Sequence, residues 1–138
     1  MNTTNILAVA DAIEQHTIPW LGFNMGPFFS LAVEREYDAE TIDQSGHDCG
    51  TVACIAGHVA VLMRGVKVEP QSTAEAYEVF GGMLLREAAD WLGLAYGSKA
   101  KDLFFAYSSG RNRHNIPADQ AVRTLRHLAA TGNVDWTV

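Results

Sequence analysis

Three groups of residues in this sequence have types and spacings that could do chemistry. The first is His47-Asp48-Cys49. A thiol at the start of an apolar helix is exposed to the positive end of the helix dipole, which lowers its pKa and supplies a thiolate. Cys49 is therefore the candidate catalytic residue, and the activity it would serve is that of a thiol-dependent hydrolase or transferase. The competing reading makes Cys49 a small hydrophobe filling a pocket. His58 is too far to be its base within one helix, because nine residues rise about 13 Å and turn half a circle. The second group is Cys54 and His58, four apart on one helical face, which is a legitimate two-ligand metal spacing. Two ligands do not make a zinc site, and His47 or Asp43 would have to fold back to complete it. Cys54 and His58 are accordingly expected to be core residues with ordinary hydrogen-bond partners, with no metal and no cofactor bound. The third group is Arg111, Arg113, His114, Arg123, Arg126 and His127, the candidate binding residues of a positive end. They could meet a small anionic ligand, an acidic partner protein or the chain's own acidic stretch, and the competing reading is a solvated helix face.

The element that must position the first two groups runs from Asp48 to Arg64. The fifteen residues between those charged ends contain one readily protonated side chain, His58. A helix apolar on every side is normally buried, and fifteen residues are too few to cross a bilayer. Ala53, Ala56, Gly57 and Ala60 fall three, four and seven apart, making a smooth face for a close helix crossing. The sequence thus predicts a buried central helix over about 50–63, with the other elements arranged around it.

Around it, Ile6, Val9, Ala10 and Ile13 recur at helical spacing and predict a first helix over about 5–16. Trp20, Phe23, Met25, Phe28 and Phe29 are interrupted by Pro19, Gly22, Gly26 and Pro27, a mixture that packs irregularly over a core. Residues 34–48 are strongly acidic and read as a polar loop, with a helical turn near 30–36. Gly65 is a helix stop. Ser72 and Glu75 form a capping box that starts a helix at Thr73. Gly81-Gly82 lies in its middle and either splits it or permits a close crossing, and Gly93-Leu94 suits a Schellman stop. A short helix follows Ser98, and Ile116-Pro117-Ala118-Asp119 opens the cleanest amphipathic helix, which Gly132 ends. Trp136, between Val134 and Val138, is too large an apolar surface to leave in water, so the tail is expected to fold back in a short extended form against the domain or a second copy.

Composition sets the class. A chain of 138 residues with 48% apolar and 19% charged residues is ordinary for one globular domain. Cys49 and Cys54 are five apart, about 140° around a helix, so they are expected to be reduced thiols of a cytoplasmic protein. The start has no positive charge ahead of a long apolar run, and no stretch reaches membrane-spanning length. The net charge of −6 is uneven: residues 1–97 carry thirteen acids against four bases, and residues 98–138 carry six bases against three acids. Nucleic-acid binding usually shows as a basic whole domain, which argues against that partner here while leaving a local anion site open.

The runs Cys49-Gly50-Thr51 and Cys54-Ile55-Ala56-Gly57-His58, with Leu92-Gly93-Leu94, Leu103-Phe104 and Ala121 to Trp136, resemble a group of small bacterial and phage proteins. The likeness covers roughly residues 45–136 and implies an all-helical intracellular protein of bacterial or phage origin, without assigning a catalytic residue. Asp48-Cys49-Gly50 with Cys54 also resembles the nucleophile run of papain-like peptidases of the bacteriocin-processing type. Those enzymes present a His and its orienting group on downstream strands, whereas this sequence reads as helices after Met63. The expectation is an all-α single domain, residues 1–138, of about five helices around a buried one with at most a trace of strand. It is read as a binding or interaction protein for a small anionic ligand or a protein partner, without a membrane, and with a homodimer left open. A Cys49 enzyme and an arginine-dependent nucleotide or nucleic-acid binder are the alternatives.

Overall fold

The computed structural model of the protein describes residues 1–31, 51–80 and 85–138. His47, Asp48, Cys49, the acidic stretch 34–48, most of the turn expected near 30–36, and Gly81-Gly82 lie outside the described residues. The fold is all-α with a trace of strand: six α-helices and three two-residue strands among the described residues. In order these are α1 (Thr3–Gln15), β1 (Gly22–Phe23), β2 (Phe29–Ser30), β3 (Val52–Ala53), α2 (Ile55–Arg64), α3 (Thr73–Phe80), α4 (Leu85–Trp91), α5 (Ser98–Phe105) and α6 (Ala118–Thr131). α3 and α4 lie on either side of residues 81–84, which contain the Gly81-Gly82 pair.

The helix without a polar face is the central one. Ile55 through Val61 are all buried, and α2 packs on α1, α3, α4 and α5. One side of it, with Ile55, Ala56 and Val59, joins the larger apolar cluster; Ala60 and Val61 join a second cluster with Ala12, Ile18, Leu21 and Phe80. Its start differs from the expectation of about residue 50. Val52 and Ala53 are extended, and Cys54 is the N-cap. The cause is pairing with the segment before it: β3 runs parallel to β1 in register Gly22 to Val52, and antiparallel to β2 in register Phe29 to Ala53. Those ladder bonds satisfy backbone groups that a longer helix would have satisfied internally.

The helix ends follow local chemistry. Asn2 Oδ1 accepts from the Asn5 N–H at 3.0 Å and caps α1. Ser72 Oγ accepts from the Glu75 N–H at 3.1 Å, so α3 starts at Thr73 as its capping box predicts. Gly93 has φ +70, the Leu94 N–H donates to the Ala89 carbonyl and the Gly93 N–H to that of Asp90, both at 2.9 Å, which is the Schellman pairing. A Cβ on Gly93 would also lie 2.5 Å from the Asn2 nitrogen. That closeness lets the Asn2 N–H and the Asn5 side-chain amide donate to the carbonyls of Leu92 and Trp91, at 2.8 and 2.7 Å.

The most extensive helix packing is between α1 and α6, and the C-terminal tail folds back beside it. Trp136 is 1% exposed. Its Nε1–H donates to the Asp102 carbonyl at 3.0 Å, Thr124 Oγ1 donates to the Asp135 carbonyl at 3.2 Å, and the Gln120 amide donates to the Trp136 carbonyl. Burial therefore comes through α6 and α5 of the same chain. The tail does this as a turn rather than the extended segment expected.

Candidate functional site

A cavity of about 320 Å³ opens where five elements meet. Met25, Gly26 and Phe28 come from the loop between β1 and β2, Cys54 and Ala56 from the start of α2, Leu85 from α4, Phe104 and Phe105 from α5, and Arg113 from a 3₁₀ turn at Arg113–Asn115. The loop is held in place by an Asx turn and by α2 itself. Asn24 Oδ1 accepts from the Gly26 N–H at 2.7 Å, and the Cys54 N–H donates to the Pro27 carbonyl at 3.1 Å. Gly57 makes the approach feasible, since a Cβ there would stand 2.1 Å from the Phe28 carbonyl oxygen and 2.5 Å from Ala53 Cβ. The close approach expected of the small residues is therefore made to a loop, and Ala56, expected at the same crossing, faces the cavity instead.

Cys54 is 6% exposed and sits at the cavity wall. Burial pushes its thiol pKa above the ordinary value, and the N–H groups of Gly57 and Ala56 and the Arg113 charge act against this without overcoming it. Its Sγ lies 4.0 Å from the Phe28 carbonyl oxygen, a weak contact. The wall thus presents a neutral thiol at neutral pH. His58 is 1% exposed, and its Nδ1 lies 3.0 Å from the Cys54 carbonyl. A carbonyl can only accept, so Nδ1 carries the proton, and the ring is turned back onto the helix N-cap. Phe23 packs on it at 6.0 Å between ring centroids. Cys54 is a cap rather than a helical residue, so the helical geometry that the i, i+4 spacing implied does not apply to it. Among the described residues, no group of three His, Cys, Asp or Glu is placed to hold a metal ion.

Of the six positive-end residues, two arginines are spent on carboxylates of their own fold. Arg126 reaches across to α1 and pairs with Asp11 at 3.2 Å and with Glu14. Arg123 pairs with Asp119 and donates to the Val138 carbonyl at 3.1 Å. The Arg123 guanidinium holds the Asp119 carboxyl below its usual range. Arg113 is not one of them: its Cζ lies 5.5 Å from the Phe105 ring centroid, at the cavity wall, and it forms no ion pair among the described residues. Arg111 is exposed and His114 half-buried beside it in sequence, while His127 is half-buried on α6.

Sequence reasoning singled out Arg113 for its charge and Cys54 for its metal spacing, but did not bring them to one cavity. It did not single out Phe28, Leu85, Phe104 or Phe105 as site residues. Adjacent Phe104 and Phe105 carried a signal, because two consecutive helical residues cannot share one face; Phe104 is buried and Phe105 only half so. Comparison of the chain with protein-family models, with curated proteins and with solved structures finds no match. No helix among the described residues is long and apolar enough to cross a membrane.

Proposed function

We propose that the protein is a small-ligand binding protein whose cavity takes an amphipathic anion, the apolar body among Met25, Phe28, Leu85 and Phe104 and the anionic head at Arg113. The observation that supports this is the lining: one cation on an otherwise apolar wall of about 320 Å³. That volume is at the small end of ligand pockets, which are mostly apolar with a few polar groups fixing orientation. The guanidinium is matched to a carboxylate or phosphate head by its planar fork of donors. The raised thiol pKa supports binding over nucleophilic chemistry at Cys54, because a protonated thiol is a poor nucleophile. Calorimetric titration with octanoate tests the reading. Saturable one-to-one binding is expected, at least about tenfold weaker in Arg113→Met, on the scale of a hydrogen bond to a charged group. Octanol should bind no better to the parent protein than to Arg113→Met. Equal octanoate affinity in both proteins, or no saturable binding to either, would overturn it.

A further inference from the structure

A second feature lies along α5 beside the cavity, with which it shares Phe105. Tyr96, just before the helix, has two cations on its ring: Arg86 Cζ from α4 at 5.5 Å from the centroid and Lys101 Nζ at 5.4 Å. Each contact is favourable through the ring quadrupole, yet it leaves two like charges close together. Neither cation pairs with a carboxylate among the described residues. The acids nearest in sequence are Glu87, which Arg64 holds at 3.2 Å, exposed Asp90 on α4, and Asp102, whose carboxylate accepts from the Ser108 N–H and hydroxyl at 2.7 and 2.6 Å.

Four residues beyond Lys101 on the same face of α5, about 6 Å along the helix, is Phe105. Ala106 then adopts a left-handed φ of +53, unusual for a residue with a Cβ. That turn returns Tyr107 onto Phe105, with centroids 5.4 Å apart and planes at 26°. Tyr107 remains 71% exposed. The face therefore alternates cations with aromatic rings, and its outermost ring is backed on one side and open to solvent.

We infer that this face of α5 binds single-stranded nucleic acid, with a base stacked on Tyr107 and backbone phosphates at Arg86 and Lys101. Stacking rings set among backbone-tracking cations are the two parts such binding needs. An acidic peptide would use the cations but would gain little from the Tyr107 ring. The acidic balance of the whole chain confines the interaction to this strip and keeps its salt dependence small.

Fluorescence anisotropy of a labelled oligothymidylate at low salt tests it, with melting curves confirming that each variant folds like the parent. The expected slope of log affinity against log salt is about −1.4, from roughly 0.7 per phosphate at two cations, falling towards zero in Arg86→Gln/Lys101→Gln. Tyr107→Ala should weaken binding about fivefold or more, and Tyr107→Phe should restore it. These substitutions lie outside the cavity lining and should leave octanoate binding unchanged, so the two sites fail or succeed separately. Absence of saturable binding overturns the inference. So does a Tyr107→Ala variant that binds like the parent while polyglutamate competes as well as unlabelled oligonucleotide, an outcome that would mark the strip as a surface for acidic proteins.

Discussion

The two ends of α5 look onto two differently built regions. On one side, α6 and the tail are tied down: Trp136 is buried and donates to Asp102, Gln120 and Thr124 reach the tail's carbonyls, and Lys99 donates to the Gly132 carbonyl at 2.6 Å. On the other, the start of α2 meets a loop, α4 and a 3₁₀ turn, and apolar walls enclose space rather than each other. Protein interiors are normally packed like organic crystals. The polar groups differ in the same way. Arg123 and Arg126 are committed to carboxylates on their own fold, whereas Arg113 faces an apolar cavity. Cations that look alike in sequence thus divide into those paired with carboxylates of their own fold and those, such as Arg113, without such a pair among the described residues.

If this division is right, perturbing the packed side should cost most. Trp136→Ala removes a fully buried ring and its hydrogen bond, and a loss of about 3–5 kcal/mol is expected. The melting temperature should then fall by roughly 12 °C or more at about 4 °C per kcal/mol for a domain of this size. A melting curve close to the parent's would mean that the tail contributes little. The next effect sits at the start of α2, beside the cavity. Gly57→Ala places a Cβ into the Phe28 carbonyl and Ala53, neither of them the end of a flexible side chain, and should cost about 1–3 kcal/mol. Ala56→Val, one residue earlier but facing the cavity, should change stability by less than Gly57→Ala and still weaken octanoate binding. Equal losses in the two variants would show that the space at Ala56 is not available.

Much of this was legible locally. The stops at Gly65, Gly93 and Gly132, the capping box before Thr73, the burial of the central helix and the return of Trp136 all depend on residues close in sequence or on the cost of exposing apolar surface. What was not legible depends on distant partners. Val52 and Ala53 leave the helix because Gly22, Phe23, Phe29 and Ser30 offer them a ladder, and nothing within 50–63 announces it. Arg126 finds Asp11 and Glu14 across more than a hundred residues. The cavity exists only where β-loop, α2, α4, α5 and the Arg113 turn converge, so no one segment encodes it. Cys49, the candidate nucleophile, lies outside the described residues and the comparison does not bear on it.

Smaller effects sharpen the contrast. The Cys54 thiol, raised by burial, should alkylate with iodoacetamide more slowly near neutral pH than an exposed thiol, as read by peptide mass mapping. Its linkage to stability has one sign. Below the unfolded thiol's ordinary value of 9.0 the thiol is protonated in both states and ionisation does not affect folding. As pH rises past that value the unfolded chain ionises first and stability falls. Cys54→Ala should flatten that alkaline decline, and an unchanged decline would assign it to other groups. Arg126→Met should cost under about 1 kcal/mol, since its partners are half-exposed and such pairs are screened by solvent.

The central claim, that the space at the start of α2 is a site and Arg113 its anion contact, is tested most directly by ¹H–¹⁵N chemical-shift mapping during octanoate titration. The account predicts saturating shifts concentrated at Met25, Gly26, Phe28, Cys54, Ala56 and Arg113, lost in Arg113→Met, with the tail around Trp136 unmoved. Shifts spread over α6 and the tail instead, or none at the cavity at saturating octanoate, would contradict it.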